Sequence, residues 1–385
     1  MIKILVLIDS STGFSRSFLS GIIKYANERG NWSFYRLPTY YKVLYGEKGI
    51  IQKIKEWQIN AVVAQWEYGE IQFLKELNIP VFLQNYKKDE DWFSKIAGNY
   101  DEVGAMAANF FFQKGYVNFA FYGDKEFFWS KGRAKGYKRE VEKLNGNFFY
   151  FESEYLTNSH WSHDHIELSK WLKELPKPVA LFACDDYFAL QVSEICKIIN
   201  ILIPEQISLL GVDNDEFICN LSYPPISSIV TNDEEIGYNT GEILHRLILN
   251  NENYSFIISK KPLRIEERRS TEKYNTSDEY VTKIIEFIEK HITTKISIEQ
   301  LTELVPLSRR SLENRFKKEM GITIYQFILD RKVDYISKEL VTTNKNLLEI
   351  AIDVGYNDAR QIFRVFKKNT GYTPSNYRKK FTKKS

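Results

Sequence analysis

The first 271 residues alternate short runs of β-branched and aromatic residues with longer stretches whose apolar positions recur every three or four residues. The short runs predict buried strands, and the longer stretches predict amphipathic helices. Strands that alternate with helices form parallel sheets covered by helices on both faces. About 270 residues is more than one such sheet usually holds, so we expect two α/β lobes that face each other across a cleft.

Seven strands and six helices are predicted in this region. The strands are Ile2–Ile8, Trp32–Arg36, Ala61–Ala64, Val81–Gln84, Asn118–Tyr122, Val179–Ala183 and Ile207–Gly211. The helices are Ser15–Asn27, Ile50–Trp57, Tyr100–Gln113, Ser130–Leu144, Ile166–Leu175 and Tyr187–Ile199.

The strand pattern stops near residue 271, and only helical patterns follow. The polar stretch 272–277 is predicted to be a linker between a first domain, 1–271, and an all-α second domain, 278–385. Ser277 or Asp278 is placed to cap the first helix of the second domain. A long helix, about 325–340, is predicted to join two similar helical units within that domain.

The first of these units, residues 297–321, predicts two helices joined by a tight turn at Val305, Pro306 and Leu307. Ser308 is placed to cap the second helix, which buries an apolar stripe. This is the helix-turn-helix arrangement, whose second helix lies in the DNA major groove. Arginine and asparagine suit the edges of guanine and adenine, and lysine suits phosphate. The outward candidates for DNA contact are Arg309, Arg310, Glu313, Asn314 and Lys317.

The second unit repeats the pattern at residues 347–368, with a turn at Gly355, Tyr356 and Asn357 and a capping residue at Asp358. We expect Ile362, Phe363 and Phe366 to pack inward. Two units about 34 Å apart would enter successive major grooves on one face of the duplex. The alternative, a helical bundle with solvated basic faces, must explain two capped patterns in tandem. The outward candidates here are Ala359, Arg360, Gln361, Arg364 and Lys367.

The net charge of +3 conceals an asymmetry between the two domains. Residues 278–385 hold 21 Lys and Arg against 14 Asp and Glu, a net of +7, and the remainder holds 32 against 36, a net of −4. A basic block on a mildly acidic body favours a polyanionic partner for the block. The expected partner is double-stranded DNA.

Polar residues follow several predicted strands of the first domain, where open α/β sheets bind ligands. Arginines at nearby helix starts can donate hydrogen bonds to sugar hydroxyls, and Trp129 can stack on a sugar ring. The alternative is that each aspartate only caps the helix that follows it. The predicted ligand residues are Asp9, Arg16, Trp129, Arg133, Asp185, Asp186, Asp213 and Asn214.

No catalytic constellation, cofactor motif or phosphate-cradling loop stands out, so we expect neither an enzyme nor a cofactor. His160, His163 and His165 are not spaced as metal ligands, and a polar loop is the expected structure there. Three cysteines in no metal spacing are expected to be reduced structural thiols of a cytoplasmic protein. Neither an export signal nor a membrane-spanning run is recognised.

Five motifs of the first domain occur in an order that resembles the ligand-binding domain of LacI/GalR-type regulators. The resemblance implies a two-lobed α/β domain built like the periplasmic sugar-binding proteins. The chain opens directly on the first strand, without the DNA-binding headpiece usual in that family. The motifs are Phe121-Tyr122-Gly123, Trp129 with Arg133, Gly211-Val212-Asp213-Asn214, Pro224-Pro225-Ile226-Ser227-Ser228-Ile229 and Glu267-Arg268-Arg269-Ser270-Thr271.

The second domain resembles the AraC/XylS family over its full length. Two residues depart from that family: Pro306 stands where a turn glycine is usual, and Ile336 where the connecting helix usually has alanine. Because proline cannot adopt a positive φ, we expect altered geometry in the first turn. The motifs are Glu349-Ile350-Ala351, Gly355-Tyr356, Phe363-Arg364, Phe366-Lys367-Lys368, Gly371-Tyr372-Thr373-Pro374 and Tyr377-Arg378.

Together these resemblances imply a DNA-binding transcription regulator that a monosaccharide controls through the cleft. D-xylose is the effector they imply first, and another sugar such as arabinose is the alternative. They also imply a homodimer that activates pentose-utilisation genes and contacts RNA polymerase. The alternative of another class is a sugar-binding protein with no specific role on DNA.

Overall fold

The computed structural model describes residues 1–37, 39–65, 72–84, 93–153, 161–272, 276, 278–356 and 358–381. The chain forms two compact units, residues 1–272 and 273–385. Four residues of the expected linker, 273–275 and 277, lie outside the described residues. Within the described part of the chain, no helix combines the length and apolarity needed to cross a membrane.

The first lobe of unit 1 is a parallel sheet with helices on both faces. Its strands are β1 (Ile2–Leu7), β2 (Trp32–Arg36), β3 (Ala61–Gln65), β4 (Val81–Gln84), β5 (Lys95–Gly98) and β11 (Ile257–Lys260). The sheet order is β2-β1-β3-β4, a bridge between Phe82 and Ser94 links β4 to β5, and β5 pairs with β11. Its helices are α1 (Gly13–Arg29), α2 (Thr39–Trp57), α3 (Gln72–Lys75) and α9 (Asp233–Asn250).

The second lobe is a six-stranded sheet of order β12-β10-β9-β8-β6-β7, in which only the β10–β12 pair is antiparallel. Its strands are β6 (Asn118–Asp124), β7 (Asn147–Ser153), β8 (Val179–Ala183), β9 (Ile207–Val212), β10 (Ser227–Thr231) and β12 (Pro262–Glu266). Its helices are α4 (Tyr100–Gln113), α5 (Phe128–Lys143), α6 (Trp161–Glu174), α7 (Asp186–Ile198) and α8 (Glu216–Leu221).

Strand β1 shows why an uninterrupted apolar run forms a central strand. Ile4 and Val6 belong to the core on one face of the sheet, and Leu5 and Leu7 belong to the core on the other. Such burial on both faces is typical of parallel sheets. On one of these faces α1 approaches α9 so closely that a Cβ atom on Gly237 would lie 1.9 Å from the carbonyl oxygen of Phe18.

Unit 2 is all-helical in its described part. Its helices are α10 (Glu279–Lys290), α11 (Ile298–Glu303), α12 (Arg309–Met320), α13 (Ile324–Thr342), α14 (Leu347–Asp353), α15 (Ala359–Thr370) and α16 (Pro374–Phe381). Asp278 caps α10 by accepting hydrogen bonds from the backbone of Tyr280 and Val281. The predicted two-lobed α/β domain followed by an all-α domain with two helix-turn-helix units is thus confirmed.

Some elements differ from those predicted. Strands β5, β7, β10, β11 and β12 are not among the predicted strands. Four of them have only four or five residues, too few for a clear alternation, whereas β7 is a seven-residue run with four consecutive aromatic residues. The polar loop expected around the histidines is wrong for His163 and His165, which lie in α6, while His160 is outside the described residues. Cys184, Cys196 and Cys219 are buried and form no disulfide.

Candidate functional site

The buried Arg133 of α5 is the centre of a polar and aromatic cluster between the lobes. Its side chain is 2% exposed, donates from Nη1 to the carbonyl of Cys184, and donates from Nη2 to Oδ1 of Asp213 over 3.2 Å. Its Nε–H has no hydrogen-bond partner among the described residues. Its guanidinium lies 5.0 Å from the ring centre of Trp129 and 5.9 Å from that of Tyr100. A buried donor beside aromatic rings is suited to a polar ligand.

A charged network extends this cluster across the cleft. Nζ of Lys260, at the end of β11 in the first lobe, lies 2.9 Å from Oδ1 of Asp213, which follows β9 in the second. The same ammonium lies 2.9 Å from Oδ1 of Asp233, at the start of α9, and 4.5 Å from the ring centre of Phe14. Two cations, Arg133 and Lys260, are thereby balanced by two carboxylates.

The protonation of Asp213 follows from these contacts. Burial by itself would raise the pKa of Asp213, but the attraction of Lys260 and of Arg133 outweighs it and holds that pKa below its ordinary value. Burial likewise opposes the charge on Lys260, but Asp213 and Asp233 hold the pKa of Lys260 above its ordinary value. Both groups are therefore charged at neutral pH.

The adjacent aspartates at the start of α7 have different surroundings. Asp185 caps the helix by accepting from the backbone N–H of Phe188 over 2.8 Å, and burial raises its pKa to about 6. Asp186 is buried, accepts from the N–H of Asp215 over 2.6 Å and accepts from the hydroxyl of Ser228 over 2.5 Å. Both oxygens of Asp186 thus accept hydrogen bonds from within the protein, and its contact with a ligand stays a prediction.

Three further predicted ligand residues are engaged elsewhere. Asp9 accepts from the N–H of Ser11 in an exposed turn. Arg16 forms an ion pair with Asp215 at 2.6 Å, and the side-chain oxygen of Asn214 accepts from Arg268 over 2.8 Å. The structure therefore brings together Trp129, Arg133, Asp185 and Asp213, whereas Asp9, Arg16, Asp186 and Asn214 contact other parts of the protein.

Sequence reasoning missed Lys260, Asp233 and Tyr100. A signal for Lys260 was available, because it shares the inward side of β11 with Ile258 at alternate positions of a short apolar strand. The local sequence around Asp233 and Tyr100 does not indicate a ligand site, because both residues are ordinary at the start of a helix.

The first helix-turn-helix unit has the capping expected of it. Ser297 and Gln300 form a capping box on α11, and Ser308 caps α12 by accepting from the N–H of Ser311. Leu312 and Phe316 are fully buried on the inner side of α12. The inward pattern predicted for this helix is confirmed.

The outer side of α12 divides its candidate DNA contacts into two kinds. Arg309 is paired with Glu313 at 3.0 Å and lies 3.9 Å from Glu299. Arg310 is exposed and makes no hydrogen bond or ion pair within the described residues. Asn314 and Lys317 are also exposed. Arg310 is therefore the more available donor for a base edge.

The turns of the two helix-turn-helix units differ in geometry, as expected from Pro306 in the first turn. Around Pro306 the N–H of Leu307 donates to the carbonyl of Val305 over 2.8 Å, a three-residue turn compatible with the restricted φ of proline. The second turn uses Gly355 at a φ of 77°, where a Cβ atom would lie 2.6 Å from the backbone nitrogen of Lys295. Ile336, the other departure from the AraC/XylS family, is buried in the core of the second helix-turn-helix unit.

The second recognition helix, α15, is capped by Asp358, which accepts from the N–H of Arg360 over 2.8 Å. Ile362 and Phe366 are fully buried, but Phe363 is 39% exposed, so its predicted inward packing is wrong. Ala359 is half-buried, and Asn357 of the turn lies outside the described residues. The exposed candidates for DNA contact are Arg360, Gln361, Arg364 and Lys367.

Known families match both parts of the chain. Residues 108–271 match the periplasmic binding protein-like domain, and residues 301–380 match a helix-turn-helix domain. The chain therefore joins a periplasmic-binding-protein-like domain to a helix-turn-helix domain of the AraC type.

Relatives span almost the whole chain. It is homologous to the xylose operon regulatory protein of Escherichia coli (strain K12), with 27% identity over 385 residues, 98% of this chain and 96% of the relative. The xylose operon regulatory protein of Haemophilus influenzae is 29% identical over 334 residues, 84% of this chain and 86% of the relative. The solved structure of the xylose-binding transcription activator xylR superposes with a TM-score of 0.76 at 25% identity and covers 99% of this chain and 98% of its own.

Proposed function

We propose that this protein is a sugar-responsive, sequence-specific DNA-binding regulator whose effector binds at Arg133. The observation that carries the proposal is the unsatisfied Nε–H of this buried arginine, placed beside the rings of Trp129 and Tyr100. A sugar hydroxyl can accept from that group while the apolar face of the sugar ring lies against an aromatic side chain.

The effector is a neutral monosaccharide. Arg133 and Lys260 are already balanced by Asp213 and Asp233, so a sugar phosphate or sugar acid would add an uncompensated charge to a buried site. The names of the relatives favour D-xylose, with arabinose as the alternative. Asp213 and Asp185 would accept hydrogen bonds from the hydroxyls of the sugar.

On DNA, α12 and α15 would enter successive major grooves. The acting form would be a homodimer that activates pentose-utilisation genes through contact with RNA polymerase, and the body would perform no catalysis. The sugar controls this activity only if its affinity differs between the two states of the cleft. The other hypothesis, a sugar-binding protein with no specific DNA role, is disfavoured by the capped recognition helices with exposed arginines.

The decisive experiment combines a gel shift and a thermal shift on the full chain. The upstream region of its own gene and a scrambled duplex of equal length are titrated at several salt concentrations, with and without D-xylose or L-arabinose. We expect specific binding that weakens steeply as salt rises and changes with one of the sugars. Equal affinity for both duplexes, or no effect of either sugar on melting and DNA binding, would overturn the proposal.

A further inference from the structure

Three consecutive residues after β9 contact three different parts of unit 1. Asp213 meets the cleft cations Arg133 and Lys260. Asn214 accepts from Nη2 of Arg268 over 2.8 Å. Asp215 forms an ion pair at 2.6 Å with Arg16 of α1, in the opposite lobe. Residues 213–215, named here the relay loop, therefore connect the cleft, the end of the unit and the other lobe.

The backbone of the relay loop is unusual and firmly held. Asp213 has a φ of 90° and Asn214 a φ of 50°, a region that few residues other than glycine, asparagine and aspartate adopt. The N–H of Asn214 donates to the hydroxyl of Ser228 over 2.9 Å, and that of Asp215 donates to Asp186 over 2.6 Å. A displacement of Asp213 in so constrained a loop is passed to its neighbours, because few backbone alternatives can absorb it.

Arg268 is half-buried and lies in the segment 268–272 that ends unit 1. Its Nη1 donates to the carbonyl of Ile226 over 3.0 Å, and its N–H donates to the hydroxyl of Ser227 over 2.7 Å. Ser270 and Thr271 behind it are fully buried, and Ser270 donates to the carbonyl of Leu209 in β9 over 2.5 Å. Unit 1 ends at residue 272, and unit 2, which contains the helix-turn-helix units, begins at residue 273.

We propose that the hydrogen bond between Asn214 and Arg268 carries the effector signal from the cleft to the segment that leads into the DNA-binding unit. This inference rests on the proposed function. A sugar that binds Arg133 and Asp213 competes for the atoms that now hold the relay loop in place. Asn214 follows Asp213 directly, so the hydrogen bond that it accepts from Arg268 differs between the free and the sugar-bound states.

Two substitutions at one position test the relay in the full chain. Asn214→Gly removes the acceptor and tolerates the positive φ, whereas Asn214→Asp keeps an acceptor for Arg268 on a residue that also tolerates this φ. The measured quantities are the Kd for D-xylose, the Kd for the upstream duplex, and the ratio of the DNA Kd values with and without sugar at one salt concentration. Allosteric ratios of this kind are typically about 5 to 150.

For Asn214→Gly we expect a D-xylose Kd within about twofold of the unsubstituted chain and a sugar-induced ratio that falls towards one. Asn214→Asp should keep the full ratio. Arg268→Lys, which cannot hold both Asn214 and Ile226, should behave like Asn214→Gly. The matched control is Arg269→Lys, the same substitution at the next residue, whose guanidinium contacts the hydroxyl and the ring of Tyr223.

Two results would overturn the relay. A full ratio in both Asn214→Gly and Arg268→Lys would mean that the signal leaves the cleft by another route. Loss of D-xylose binding in Asn214→Gly, with binding kept in Arg268→Lys, would make Asn214 a ligand residue. Failure of the proposed function is distinguishable from both, since the unsubstituted chain would then show no sugar-induced ratio.

Discussion

The ammonium group of Lys260 lies 2.9 Å from Oδ1 of Asp213, and this contact joins the end of a strand in one lobe to the end of a strand in the other. Lys260 is 4% exposed and also holds Asp233. Because the ion pair spans the cleft, it contributes both to the stability of unit 1 and to the charge balance that a neutral ligand meets.

Replacing Lys260 by methionine should therefore destabilise unit 1 strongly. The substitution leaves Asp233 buried without its cation, and breaking a buried ion pair from one side costs about 3–5 kcal/mol. Urea unfolding followed by tryptophan fluorescence measures this, because all seven tryptophans lie within residues 1–272. Lys261→Met, at the exposed neighbouring position, is the control and should change the unfolding free energy by less than about 0.5 kcal/mol. Similar losses in the two variants would show that the pair is energetically unimportant.

Asp185 should make the stability of unit 1 depend on pH. Its folded-state pKa of about 6 lies above the ordinary value of 3.8, so its stabilising contribution is fully present below pH 3.8 and is lost as the pH rises towards 6. Asp185→Asn keeps an oxygen to cap α7 and carries no charge. We expect this variant to be more stable than the unsubstituted chain by about 1–3 kcal/mol at pH 7.5 and about equal to it at pH 4. Urea unfolding at the two pH values checks this, and a difference that does not vary with pH would refute the shifted pKa.

Gly355, in the turn of the second helix-turn-helix unit, and Gly371, at the end of α15, have the same backbone conformation but different surroundings. Their φ values are 77° and 76°, but a Cβ atom on Gly355 would meet the backbone of Lys295 at 2.6 Å, whereas on Gly371 it would meet nothing within 4 Å. Alanine at Gly371 should cost about 1–2 kcal/mol from the left-handed backbone alone, and alanine at Gly355 clearly more. Hydrogen exchange of α14 and α15 in the full chain measures both, and equal protection in the two variants would contradict the close contact.

Arginines on the recognition helices should differ in their effect on DNA binding. Arg310→Ala and Arg360→Ala should each weaken specific binding by about 1–3 kcal/mol, because both side chains are exposed and suited to guanine. Arg309→Ala should cost less, since Arg309 is already paired with Glu313. Gel shifts against specific and scrambled duplexes provide the comparison. An equal loss on both duplexes would assign Arg310 and Arg360 to phosphate contacts.

Phe363 should read thymine in the second half of the operator. It is the fifth residue of α15, as Glu313 is of α12, and it is exposed close to Arg360 and Lys367 on the helix surface. An apolar ring in the major groove contacts the thymine methyl group. Replacing thymine by uracil in the half-site of this unit should weaken binding by about 1 kcal/mol for the unsubstituted chain and leave Phe363→Ala unaffected. Uracil that weakens both proteins equally would point to another reader of the methyl group.

The helix-turn-helix units were predictable from the sequence because their signals are local. Ser308 and Asp358 cap helices through backbone groups two or three residues away, and the apolar stripes recur within a single helix. Likewise, the apolar run of β1 is sufficient to predict a central strand. The inward packing predicted for Phe363 is wrong because this residue lies at the border of the apolar face of α15. Whether such a residue is buried depends on the angle at which the helix packs, which the local sequence does not determine.

The cleft depended on tertiary structure. Asp185 and Asp186 are adjacent, yet one caps a helix beside the cleft while the other accepts bonds from residues 29 and 42 positions away. Arg133 and Asp213 are separated by 80 residues, and Lys260 by a further 47. The sequence by itself determined the two kinds of domain and the recognition helices, because hydrophobic period and capping act over a few residues. Only the folded chain decided which polar side chains meet in the cleft, because that depends on where strands distant in sequence end beside one another.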